Sequence, residues 1–187
     1  MKAKMQSDPA AGSKTRGYFA IGAERISKQL NVGNLIRSAH AFGASFVFTV
    51  GAQYSGQEAH ADTSKTPLHV PLYHWDSATD MVLPHGCNLV GIELIDGAID
   101  LPSFRHPLQA AYILGPERGA LSPEVLARCD HVVKIPTAFC INVAMAGAIV
   151  MYDRVRSLGR FAPRPVAAGG PAVELPEHVH GAPKRRR

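Results

Sequence analysis

Five short stretches of this 187-residue chain are dominated by apolar side chains with no in–out alternation: Tyr18–Ile21, Ser45–Val50, Asn88–Leu94, Ala110–Leu114 and His131–Ile135. A strand with one wet face alternates; a strand buried on both faces does not, and such strands belong to parallel sheets covered on each side. The segments between them change period. In Asn31–Gly43 the apolar residues Leu35, Ile36, Ala39 and Phe42 recur at helical spacing, and Gly43 stands where the helix must stop. Ser122 followed by Pro123 opens a short helix, serine as cap and proline in its first turn. Asn142 caps a long final helix running to about Gly159. A further strand is expected near His69–Tyr73, and a helix over Ser77–Leu83 ended by Pro84. The order predicts an α/β fold, a mostly parallel sheet with helices on both faces.

The ends have a different composition. Residues 1–17 carry four cations against Asp8, and residues 161–187 carry five against Glu174 and Glu177, so each end holds +3 of a chain whose net charge is +5. The body, residues 18–160, is therefore close to neutral. We read 1–17 as a disordered basic lead-in, 18–160 as one domain and 161–187 as a Pro/Gly-rich basic tail. Basic tails on a neutral body suit a polyanion, most simply nucleic acid. Three widely separated cysteines form no CxxC pair, so neither a zinc ribbon nor a disulfide framework is expected. No apolar run approaches the ~20 residues of a membrane helix, and Met1–Arg16 has no apolar core, so no secretory leader is expected. A cytoplasmic protein follows. GxGxxG, P-loop, GxSxG and HExxH motifs are all missing, and the nine histidines are scattered. No metal is expected.

Three polar clusters stand at strand–helix junctions, where open α/β sheets bind ligands. In Asn31-Val-Gly-Asn34-Leu-Ile-Arg37 the asparagines are either helix caps or site residues. With Asn34 as cap, Arg37 would sit in the first turn, where the helix dipole disfavours a cation and a bound phosphate would offset the cost; with Asn31 as cap the cost vanishes. In Leu114-Gly115-Pro-Glu117-Arg-Gly119 a carboxylate stands between glycines. It serves a ligand, pairs with Arg118 or caps the Ser122 helix. In Ile135-Pro-Thr-Ala-Phe-Cys140-Ile141-Asn142 the strand ends and a helix of small residues begins, with Ala144–Ala148 suited to close packing against the sheet or a second subunit.

In this order, NVGNLIRSAHAFG, ILGPERGALS and IPTAFCINVAMAGAIVMYD resemble the three motifs of the SpoU (TrmH) branch of the SPOUT RNA methyltransferases, over about Tyr18 to Arg160. The resemblance implies a C-terminal deep trefoil knot, S-adenosylmethionine as cofactor, a homodimer, and methyl transfer to a ribose 2′-hydroxyl of tRNA or rRNA. It makes Arg37, Asn34, Glu117 and Asn142 the catalytic set, with Asn31 and Gly33 shaping the first loop. Ile92, Glu93, Gly115, Ile135, Cys140 and Ile141 would hold the cofactor, and Arg37 with Lys184, Arg185, Arg186 and Arg187 would hold RNA. One departure is visible. The family's third loop is longer and carries Ser-Leu-Asn or Ser-Met-Asn; here Cys140-Ile141 replaces the serine pair, and a thiol is a weaker hydrogen-bonding group than a hydroxyl. The extra N-terminal RNA-binding domain of some relatives is not expected here, and the basic ends are expected to stand in for it. Two rival readings stay open. One is a catalytically idle RNA-binding module, which cofactor binding would oppose; the other is a small-molecule α/β enzyme, which RNA-independent turnover would favour.

Overall fold

The computed structural model describes residues 17–52, 70–159, 161, 164–165 and 168–169. Among the described residues seven strands, β1 (Tyr18–Glu24), β2 (Phe46–Val50), β3 (Leu72–Trp75), β4 (Asn88–Ile92), β5 (Ile99–Asp100), β6 (Gln109–Leu114) and β7 (His131–Lys134), form one sheet in the order β3-β2-β1-β6-β4-β7-β5. Every pairing is parallel. The helices are α1 (Gln29–Phe42), α2 (Pro123–Leu126) and α3 (Val143–Leu158). The chain lays β6 between β1 and β4, and β7 between β4 and β5, so late strands enter between earlier ones.

The unalternating strands are the central ones. In β1, six of seven residues are buried, and β2 is buried throughout. Their side chains still divide by period two. Phe19, Ile21, Val47, Val90, Tyr112 and Val133 face a core closed by α1 and α3. Ala20, Phe46, Phe48, Leu89, Ala111 and Ile113 face a second core, closed by Met81, Leu121 and Val125 of α2 and its neighbours. Only the edge strands β3 and β5 show exposed residues in number.

Local signals placed the helix ends where side chain and terminus are adjacent. Gly43 takes the left-handed conformation (φ 74°) that ends α1. Ser122 accepts from the Val125 N–H, and Asn142 from those of Ala144 and Met145. Other expectations need correction. Neither Asn31 nor Asn34 caps α1, which starts at Gln29 behind an N-cap residue, Lys28, whose side chain makes no capping bond. Arg37 therefore lies in mid-helix, and the dipole argument does not apply to it. Ser77–Leu83 is turns rather than a helix, held by Arg128, which donates to the carbonyls of Ala78 and Met81. The small residues of α3 serve the fold itself. A Cβ on Gly147 would lie 2.5 Å from Leu35 Cδ1, so α3 reaches α1 closely only without one.

The amino ends of β1 and β6 are tied to α3 by buried Arg154, which donates to the carbonyls of Tyr18, Pro107 and Leu108 and to the Tyr112 hydroxyl. Tyr112 meets His106 Nδ1 at 2.6 Å, and His106 Nε2 meets Asp153 at 3.0 Å. Burial raises the Tyr112 phenol to about 12 and lowers the His106 imidazole, against the pull of Asp153, so both stay neutral near pH 7. This network fixes the end of the sheet opposite the site described next.

Candidate functional site

A cavity of about 450 Å³ opens at the carboxyl ends of β4, β6 and β7, against the amino ends of α1 and α3. It falls in the size range of sites for small organic ligands. Ile92, Glu93, Gly115, Ile135, Cys140 and Ile141 all line it, as do Glu117, Asn142, Asn31 and Lys28. The three sequence clusters thus converge from positions far apart in the chain.

Hydrogen bonds join them. The Glu117 carboxylate accepts four: Ser27 N–H (3.1 Å) and Ser27 Oγ–H (3.1 Å) on Oε2, Lys28 N–H (3.0 Å) and Asn31 Nδ2 (2.9 Å) on Oε1. It neither pairs with Arg118 nor caps the Ser122 helix; it sits across the entry to α1, where free N–H groups and the positive dipole end favour an anion. Burial pushes this carboxyl upward, but the bonds from Asn31, Ser27 and Lys28 outweigh it and hold it below the usual carboxylate value. Buried Asn31 uses its other amide atom: Oδ1 accepts from Asn142 Nδ2 at 3.0 Å. Asn142 Oδ1 accepts from Ala144 N–H (2.9 Å) and Met145 N–H (3.3 Å). One directional chain therefore runs from the α3 terminus through Asn142 and Asn31 to Glu117, with every amide orientation fixed by its neighbours.

The loop 115–122 forms a wall of the cavity and is pinned at three successive residues. Arg25 Nη2 donates to the Ala120 carbonyl (3.0 Å), Glu93 accepts from Leu121 N–H (2.8 Å), and buried Glu24 accepts from Ser122 N–H (2.8 Å). Glu93 also accepts from Leu94 N–H at 2.9 Å, so its carboxylate is largely spent on the wall. A Cβ on Gly115 would lie 3.1 Å from Glu93 Oε2 and 3.2 Å from Leu121 N, so glycine keeps this contact. Sequence reasoning missed Glu24, Arg25, Ser27 and Lys28. The visible signal was a charged pair ending the apolar run of β1.

Asn34 and Arg37 do not line the cavity. Both are exposed on α1, and Arg37 makes no hydrogen bond or ion pair among the described residues. It stands six residues, about 9 Å, along the helix from Asn31. Elsewhere on these two helices α3 exposes Met145, Ile149 and Tyr152, and α1 exposes Leu30. Lys184, Arg185, Arg186 and Arg187 lie outside the described residues.

Comparison with known proteins gives a consistent set of likenesses. Residues 18–152 match the model of the SpoU rRNA Methylase family. An uncharacterized tRNA/rRNA methyltransferase of Archaeoglobus fulgidus is 30% identical over 152 residues, 76% of this chain and 66% of that one. The tRNA (guanosine(18)-2′-O)-methyltransferase of Escherichia coli is 25% identical over 144 residues, 74% of this chain and 63% of that one. Against these two the chain spans about two thirds of their length or less. Among solved structures, the SpoU methyltransferase AviRb of Streptomyces viridochromogenes, in complex with AdoMet, superposes with a TM-score of 0.68 at 23% identity, covering 75% of this chain and 58% of that one.

Proposed function

The chain belongs to the SpoU rRNA Methylase family, and from that premise we propose that it is an S-adenosylmethionine-dependent methyltransferase acting on a ribose 2′-hydroxyl of tRNA or rRNA. The observation that carries the reading is the cavity itself. It gathers the residues expected for the cofactor at the carboxyl edge of a parallel sheet, and the Glu117–Asn31–Asn142 chain ties its three walls. The residues fit such a group: Ile92, Leu114, Ile135 and Ile141 offer apolar surface, and Gly115 leaves its backbone uncovered beside them.

S-adenosylmethionine supplies an electrophilic methyl when bound. The protein must then align an RNA ribose with it and ease the loss of the hydroxyl proton. Ile92, Gly115, Ile135, Cys140 and Ile141 hold the cofactor in this reading, while Glu117 and Asn142 keep the walls in register. Arg37 lies outside its own protomer's cavity, so in this reading it reaches the reacting ribose across the homodimer proposed below, where it holds an adjacent phosphate and stabilises the developing alkoxide; a guanidinium does not serve as a base. Asn34, one turn away on the exposed side of α1, assists in positioning the RNA. The basic ends, Lys184 to Arg187 included, capture RNA through its phosphates without reading sequence.

The working form we propose is a homodimer built on the exposed α1–α3 surface, and Leu30, Met145, Ile149 and Tyr152 support it. Light scattering that gives only a 20.0 kDa species at micromolar concentration would exclude it. A trefoil knot belongs to the same reading, supported by the late entry of β6 and β7 between earlier strands. Three free cysteines support a reducing, cytoplasmic setting.

The test is transfer of labelled methyl from S-adenosylmethionine to total RNA from cells lacking this protein, followed by mapping of the product. A single 2′-O-methylated nucleotide is expected. Cofactor binding without transfer to any RNA would overturn the reaction, and RNA-independent turnover would overturn the substrate class.

A further inference from the structure

The loop between β7 and α3 has two sides. Ile135, Thr137, Cys140 and Ile141 line the cavity, whereas Phe139, in the middle of the same loop, is 79% exposed. No other large apolar side chain among the described residues is exposed as much. The backbone that carries the ring is held. Thr137 Oγ1 donates to the Phe139 carbonyl (2.9 Å) and lies 3.4 Å from that of Ile135, so the loop is braced from within. Yet Phe139 makes no ring contact among the described residues.

We infer that Phe139 is the platform on which the base of the target nucleotide stacks, an inference that rests on the methyl-transfer reading above. The reacting 2′-oxygen must face the cavity, and the base hangs from the neighbouring ribose carbon, so it must lie over the cavity rim. To bring its ribose in, that nucleotide leaves its stack in the RNA, and an uncovered aromatic face replaces the lost neighbour. The surroundings suit a single planar base better than a second protein surface. Phe139 stands among Pro136, Thr137, Ala138 and Cys140, while the continuous apolar stripe of Met145, Ile149 and Tyr152 runs along α3. Exposed Lys28 on the cavity wall supplies a cation for the attached phosphate.

The experiment compares wild type, Phe139→Ala and Phe139→Trp on an RNA substrate carrying 2-aminopurine at, and next to, the modified position. Phe139→Ala is expected to lower kcat/KM for RNA roughly five- to hundredfold, chiefly through KM. Phe139→Trp should restore most of it, and the 2-aminopurine fluorescence should respond to wild type but not to the alanine variant. Cofactor affinity by calorimetry and mass by light scattering should not change. An unaltered kcat/KM would overturn the inference. So would loss of cofactor binding, which assigns the ring to the cofactor wall, or conversion to monomer, which assigns it to an interface. Wild type that methylates no RNA overturns the activity instead, and the fluorescence response then decides the ring's role separately.

Discussion

Replacing Glu117 by glutamine tests the central network with one atom. The carboxylate faces four donors: Ser27 N–H and Oγ–H on one oxygen, Lys28 N–H and Asn31 Nδ2 on the other. Glutamine offers one oxygen and one NH₂. With the NH₂ toward Ser27, the hydroxyl can turn to accept and only the Ser27 N–H faces a donor; with it on the other side, Lys28 N–H and Asn31 Nδ2 both do. That second orientation cannot be rescued by turning Asn31, so at least one donor stays frustrated either way. Turned, its nitrogen would face Asn142 Nδ2, and turning Asn142 in response would aim an NH₂ at the N–H groups of Ala144 and Met145. The α3 terminus thus locks the direction of the whole chain. A frustrated buried donor costs about 1–3 kcal/mol; with Glu117 and Ser27 only partly buried, water relieves part of this, and we expect a total loss of about 1–3 kcal/mol. For a domain of this size that is a fall in Tm of roughly 2–4 °C per kcal/mol. Linkage adds a second signature. The folded Glu117 carboxyl is depressed below its ordinary 4.5, so its contribution is present above that pH and is lost as the pH falls through the folded value. Calorimetric melts of wild type and Glu117→Gln from pH 7 to pH 3 should therefore differ at pH 7 and converge in acid. A Tm unchanged at pH 7, or a gap that does not narrow in acid, would refute the reasoning.

Arg37→Ala should cut methyl transfer by about 10²–10³ while leaving cofactor affinity and Tm unchanged, since the side chain is exposed and without a bonding partner among the described residues; near-wild-type single turnover would remove its catalytic role. Gly115→Val should weaken cofactor binding at least tenfold by forcing Glu93 off Leu121 N–H, with Gly115→Ala intermediate, and equal calorimetric affinities for all three would sink the account. Alkylation followed by mass spectrometry should label exposed Cys140 first and Cys129 last, because burial raises the Cys129 thiol to about 11. S-adenosylmethionine should protect Cys140; equal labelling with and without it would place that thiol outside the cofactor site.

What could be read in the chain was whatever is decided over a few residues. The unalternating runs announced strands covered on both faces, and the structure has them in β1, β2, β4 and β6. Gly43, Ser122 and Asn142 announced helix ends because a cap and the groups it satisfies are neighbours in sequence. Ile92, Gly115, Ile135 and Asn142 were legible for the same reason, each at the end of a strand or the start of a helix, whereas Lys28 of the same cavity was not. The two-residue β5 escaped because so short a strand carries no period. The partner of Glu117 escaped because Ser27 lies 90 residues away, and only the placing of β6 beside β1 brings them together. Ala144–Ala148 fitted either a sheet or a subunit on composition alone; the 2.5 Å approach of a Cβ at Gly147 to Leu35 puts that glycine against α1 within the chain, while Met145 of the same stretch stays exposed. Caps, turns and periods are local free-energy choices, written where they act. Strand order and the bonds that close the site depend on which distant segments share an edge, and that is settled only when the whole sheet assembles.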